Sequence, residues 1–392
     1  MTKYLFAALL ALPLASSAQD NLIKTIEANK TADTGRKWRF TPVIDLGHTS
    51  VKNQGSSGTC WSYSGNSFVE SEMIKAGRTP VEISQIYTAR KVYEDKADRY
   101  VRMHGELPWG DGAEAHDVIN MFRKYGAVPQ TVYTGLNYGT KKNQFGEMQA
   151  MLKGMLDGVV KAPNGKLTPV WKKAFVNVID TYLGPDPKQF TWNGKSYTPQ
   201  SFAKDVIGID PNNYVEVSSF NDAPYYTMMD FVVPDNWSND KVYNVKVNDL
   251  TAIIDNALEK GYSVVWATDV SEKYFSWKNG VAFVPEKDWE DMDEAEQKAM
   301  FNGPQKERVI TPELRQMAFE NYGTTDDHGM HIVGISKDQN GVEYYKVKNS
   351  WGDKNDNKGF IYVSKPYVQY KTTALLLNKD GIPKDMRRTM GI

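Results

Sequence analysis

Apolar residues recur at intervals of three and four through the first two thirds of the chain, and alternate with polar ones or run together in the last third. The first spacing marks a helix with one buried face; the second, bounded by turn residues, marks strands. Residues 60–76 are predicted to form a helix with Trp61, Phe68, Val69 and Met73 roughly on one face and Gly77 at its end, with Thr59 or Ser57 placed to cap its start. Helices are also predicted over 81–98 (capped by Ser84), 113–125 (ended by Gly126), 147–160 and 168–183. Residues 190–197 set aromatic strands around Asn193-Gly194, the strongest short hairpin signal, and Thr198 with Pro199 opens a helix running to 206. Strands follow over 214–217, 228–233 and 244–247, then a helix over 249–260 capped by Asn248 and closed by Gly261, and a buried strand over 262–269. An acidic exposed helix (291–301) and another helix (311–321) precede four strands, 328–336, 343–349, 359–363 and 373–377. The class is α+β, with a helical N-terminal part packed on a C-terminal antiparallel sheet or barrel.

Composition narrows the function. Of 392 residues, 41% are hydrophobic and 24% charged, which is ordinary for a folded chain. The formal net charge of -1 offers no basic excess for phosphates, so nucleic acid is not an expected partner. The start reads as an export signal. Lys3 precedes an apolar run over 4–15, and Ser16-Ser17-Ala18 supplies small residues for cleavage after Ala18. That run is shorter than the roughly 20 residues a bilayer span needs. No cysteine follows the cut to carry a lipid, and no second long apolar run appears, so the expected product is periplasmic or secreted without stable membrane association.

The only cysteine is Cys60, so no internal disulfide forms. A lone thiol in an exported protein is exposed to oxidation, and its presence points to a task. Cys60 falls in the first turn of the predicted helix, where the helix dipole and outward-pointing N–H groups favour a thiolate. A thiol nucleophile needs a base, and the base needs a group to orient it. Among the five histidines, His328 opens an apolar strand just after Asp326-Asp327, and Asn349 lies on a neighbouring strand, with Trp351 placed to shield their bond. His328 and His331 are three apart on a strand and face opposite sides, so they do not form a metal pair. With no metal-spaced Cys or carboxylate motif, neither a metal nor a cofactor is expected. Gln54, six residues before Cys60, is a candidate oxyanion donor with the Cys60 N–H. Together these residues describe a thiol-dependent peptidase with peptides as substrates.

The stretch from Val51 to Ser64, with Gln54-Gly55-Ser56-Ser57-Gly58-Thr59-Cys60-Trp61 at its centre, resembles the papain-like cysteine peptidases, as does Lys348-Asn349-Ser350-Trp351-Gly352. Gly110-Asp111-Gly112, Lys124-Tyr125-Gly126-Ala127-Val128-Pro129, Tyr182-Leu183-Gly184, Phe190-Thr191-Trp192 and His328-Gly329-Met330 are similar to the bleomycin hydrolase and aminopeptidase C branch. The likeness runs from about Trp38 to about Leu377. It implies a cysteine aminopeptidase acting through a thioester acyl-enzyme; the alternatives are an endopeptidase of the same fold and a non-catalytic peptide-binding protein. It also implies that Gly112 and Ala113 bind the substrate backbone. The tail would lie in the cleft, with the Ile392 carboxylate pairing with the substrate's α-ammonium, and six copies would form a ring. Two departures stand out: Ser57 occupies a position where secreted relatives usually carry a disulfide cysteine, and the branch is mostly cytosolic. His328 comes 268 residues after Cys60, against roughly 130–150 in papain, so a large insertion is expected. The chain then divides into an export segment (1–18), an arm (19–37), a helical half with Cys60 (38–137), a mainly helical insertion with a hairpin (138–245), a β half with His328 and Asn349 (246–377) and the tail (378–392).

Overall fold

The computed structural model describes residues 37–163 and 165–392; the expected export segment and the arm up to residue 36 lie outside them. Among the described residues no helix is long and apolar enough to cross a membrane.

Helix α1 (Cys60–Lys75) is the central helix. Phe68, Val69 and Met73 are fully buried against Val265 and Leu376 of the sheet, and such burial is worth roughly 1.5–3 kcal/mol per side chain. Neither predicted cap forms: Thr59 holds the N-cap position, but its hydroxyl meets Ser57 Oγ, and Ser57 donates to the Gln54 carbonyl. Helices α2 (Gln85–Arg102) and α3 (Ala115–Tyr125) follow, α2 capped by Ser84 as expected and α3 ended by Gly126 at φ 76. Helices α4 (Gly146–Val160) and α5 (Val170–Leu183) join α2 in a second cluster around Tyr93, Leu152, Phe175 and Ile179. The hairpin is β2 (Phe190–Trp192) and β3 (Lys195–Tyr197), with Asn193 and Gly194 both at positive φ as its two-residue turn requires.

One large sheet carries the rest. Its strands are β1 (Thr41–Asp45), β4 (Tyr214–Ser218), β5 (Met228–Asp230), β6 (Lys241–Asn244), β7 (Val264–Thr268), β8 (Phe275–Ser276), β9 (Val281–Ala282), β10 (His328–Lys337), β11 (Glu343–Lys348), β12 (Phe360–Ser364) and β13 (Thr372–Asn378). The order is β5-β6-β4-β13-β7-β10-β11-β12-β9-β8, with β1 also on β10. The sheet is open rather than a closed barrel, and it is mixed, since β4/β6 and β12/β9 pair in parallel. Helix α1 covers one face. Helix α6 (Val247–Glu259) covers the other, where Leu250, Ile253 and Ile254 join Trp266, Met330, Ile332 and Leu375. Residues adjacent along a strand point to opposite faces, so Val265 and Trp266 serve different helices.

Two local expectations are corrected. Helix α6 starts earlier than Asn248 allows, because the Asp249 carboxylate accepts the backbone N–H of Lys246, and the strand before it is β6 rather than 244–247. The acidic helix shrinks to Glu294–Ala299, because Asp293 caps it by accepting from the Glu296 N–H. Helix α7 (Pro312–Glu320) is capped by Thr311; helices α8 (Lys365–Lys371) and α9 (Lys384–Met390) flank β13.

Candidate active site

Cys60 begins α1 and is buried. The loop before it is tied down from the side: Gly58 N–H donates to Asp111 Oδ2 at 2.8 Å, and Trp61 Nε1 donates to the Asp111 carbonyl at 2.9 Å. Cys60 thus sits at the N-terminus of α1, where the helix dipole favours a thiolate.

His328 opens β10, paired with Thr268 of β7. Its neighbour Gly329 lets the strand approach α1: a Cβ there would lie 3.0 Å from Ser64 Oγ and 3.2 Å from Trp61 Cα. His328 and Cys60 therefore line the same cleft, which holds about 320 Å³ including its open mouth. His328 Nε2 is 2.8 Å from Asn349 Oδ1, and the Trp351 ring lies 4.6 Å from the imidazole, centroid to centroid. His328 Nδ1 is buried without a hydrogen-bond partner among the described residues. Burial, opposed by the Asn349 contact, pulls the imidazole down to about 4, so it rests neutral. His331 points to α1 instead, its Nδ1 3.0 Å from Ser67 Oγ. As expected from strand alternation, the two imidazoles diverge. Among the described residues no group of three or more His, Cys, Asp or Glu is arranged to hold a metal ion.

Gln54 is fully buried and joins the two halves of the site. Its Oε1 accepts from Ser350 Oγ at 2.6 Å and its Nε2 donates to the Ser57 carbonyl at 2.7 Å, leaving one amide hydrogen. The Gln54 N–H also donates to the Ser350 carbonyl, so the loop carrying the thiol and the turn carrying Asn349 are held in register.

The two remaining expectations fare differently. Ala113 lines the cleft, whereas Gly112 is committed to the protein. Its carbonyl accepts from buried Lys96 Nζ at 2.6 Å, and a Cβ on it would fall 2.0 Å from Asp235 Oδ2. Ile392 is not brought to the cleft. The turn before α9 is bonded to the C-terminal end of α6, with Lys260 Nζ on the Asp380 carbonyl, and Lys260 in turn accepts from Lys75 at the far end of α1. At 1.5 Å per residue, that end lies about 22 Å from Cys60. Arg387 pairs with Asp380 and accepts the Ile392 N–H, and Ile392 packs on the α6 face of the sheet. The apolar face formed by Ile382 and Met390 holds the tail there.

The cleft also contains residues the motifs did not single out as site residues: Glu114, Asp235 and Asp326. Glu114 is next to Ala113, and Asp326 is two residues before His328, so their nearness to the site is legible in the chain. Asp235 comes from a loop between β5 and β6, and nothing local marks it.

This backbone superposes on a crystal structure of PepW from Lactobacillus rhamnosis with a TM-score of 0.72 at 19% identity, covering 98% of this chain and 92% of that one. The fold is thus that of the papain-like enzymes. The chain belongs to the Peptidase C1-like family, whose model matches residues 10–391, and it is a cysteine-type peptidase. It is 25% identical over 418 residues to Aminopeptidase C of Lactobacillus delbrueckii subsp. lactis, covering 95% of this chain and 89% of the relative. It is 24% identical over 394 residues to Aminopeptidase G of the same organism, covering 90% and 86%.

Proposed function

We propose that the protein is a cysteine aminopeptidase that removes N-terminal residues from peptides. The observation that carries this reading is His328, held by Asn349 through one ring nitrogen while the other, Nδ1, has no hydrogen-bond partner among the described residues, in the cleft that contains Cys60. The relatives named Aminopeptidase C and G support the exopeptidase assignment. In this reading His328 takes the thiol proton, and the Cys60 sulfur bonds to the scissile carbonyl carbon. The remaining Gln54 amide hydrogen and the Cys60 N–H stabilise the oxyanion. The C–N bond breaks as His328 returns the proton to the leaving amine, giving a thioester. Water, deprotonated by His328, then releases the amino acid and restores the thiol.

Replacing Cys60 with Ala is expected to abolish cleavage of an aminoacyl reporter and all labelling by thiol-directed inhibitors; retained cleavage sinks the mechanism. The position of the tail favours one alternative, an endopeptidase, because the chain's own terminus does not block the cleft. Comparable rates on free and N-acetylated forms of one peptide would select it.

A further inference from the structure

The cleft is lined by several carboxyl side chains. Glu114, Asp235 and Asp326 line it together with Cys60 and His328. Glu114 is 2% exposed, and its Oε1 has no hydrogen-bond partner among the described residues; Asp326 Oδ2 has none either. The two carboxyls lie within hydrogen-bonding reach of each other, and Asp326 also accepts from the Asp235 backbone N–H, so the oxygens left open among the described residues are Glu114 Oε1 and Asp326 Oδ2. The nearby cation, Lys96, is committed to the Gly110 and Gly112 carbonyls. Burial first, then the Asp326 charge, pushes Glu114 well above the carboxylate range; burial and the Asp235 charge carry Asp326 up to about 7, against the lowering contact with Glu114. A cation entering the cleft would favour the charged form of both carboxyls.

The geometry of an N-terminal residue says where such a cation lands. Its nitrogen and its carbonyl carbon are both bonded to one Cα, so they lie about 2.5 Å apart. A carbonyl placed at Cys60 therefore puts the ammonium in the same cleft. We propose that Glu114, together with Asp326 and Asp235, is the receptor for the substrate's α-ammonium group. The proposal rests on the aminopeptidase reading and assigns its specificity to carboxylates of the cleft rather than to the C-terminal carboxylate, which this fold holds on the other face of the sheet.

The test separates binding from turnover. Full-length Cys60→Ala protein is titrated calorimetrically with a free-amine tripeptide, its N-acetyl form, and an N-acetyl form carrying lysine as its first residue. Charged hydrogen bonds of this kind predict that the free amine binds roughly 10- to 100-fold tighter than its acetylated form. Glu114→Gln should shrink that ratio to about threefold or less, since an amide keeps shape but not charge. Asp235→Asn, at a half-buried position, is the second variant should Glu114→Gln melt early, and should also reduce the ratio. An unchanged ratio in the folded variants overturns the proposal, as does equal binding of the acetylated lysine peptide, which would make this a side-chain pocket. Wild-type protein that cleaves peptides without amine preference would leave the peptidase standing and remove the receptor. Amine preference that depends on Glu114 in a protein that cleaves nothing would do the reverse.

Discussion

Two buried histidines, His328 in the cleft and His116 outside its lining, sit in opposite electrostatic settings. His328 is held by an amide, Asn349, and no carboxylate is bonded to its ring; burial leaves it neutral, at about 4. His116 lies in the first turn of α3, two residues after Glu114, and its Nδ1 meets Glu216 of β4. Burial would lower it, but Glu216, Asp117 and Asp240 together carry it up to about 9. An amide orients an imidazole without charging it, so the ring stays able to accept and return a proton. A carboxylate orients and charges it together, which makes a structural cation that ties α3 to the strands between the hairpin and α6.

That contrast can be broken at the amide. Asn349→Ala removes the orienting partner and leaves His328 in place. We expect kcat on a free-amine substrate to fall by on the order of 10- to 100-fold, part of the general acid–base contribution, with KM little changed. A fall of less than threefold would mean that Trp351 packing alone orients the ring.

The contrast sharpens in the pH dependence of stability. His116 has a folded pKa above its ordinary value of 6.5, so its contribution is fully present below 6.5 and is lost as the pH rises through about 9. His328 is depressed, so its contribution is present above 6.5 and is lost as the pH falls towards 4. Urea unfolding of wild type and His116→Asn at pH 6.5 and 9.5 should show a difference on the order of 2 kcal/mol at the lower pH that vanishes at the higher. A pH-independent difference would mean that His116 acts by packing alone.

The smallest expected effect concerns the tail. Deleting residues 388–392 should leave the ratio of free-amine to acetylated cleavage within about twofold, because Ile392 packs on the α6 face. Some loss of melting temperature is expected from removing Met390, which is buried there. A collapse of the ratio would return amine recognition to the terminus.

Much of the fold was legible in local pattern. Helices α1 to α5, the hairpin and strands β10 to β13 follow from periodicity and turn residues, since each rests on contacts within one element or its neighbour. The errors share a cause. Asn248 lost the cap to Asp249 reaching back to Lys246, and the predicted Thr59 cap went to a hydroxyl pair with Ser57, because short polar side chains choose among several local partners. The open sheet was not readable either, because the parallel β4/β6 and β12/β9 pairings depend on where distant segments land.

The sequence by itself determined the chemistry of the site: one cysteine at a helix start, a histidine opening a strand, an asparagine followed by Ser350 and Trp351, and a glutamine before the thiol. Residue type and spacing carry that information because each group needs a particular atom at a particular end of an element. Only the tertiary structure decided what surrounds them. It set Asp235 over Gly112, turned Glu114 and Asp326 towards each other beside Cys60, and kept Ile392 on the far face. Charges that are scattered along the chain become a site only when burial removes the water between them, and that depends on the packing of the whole molecule.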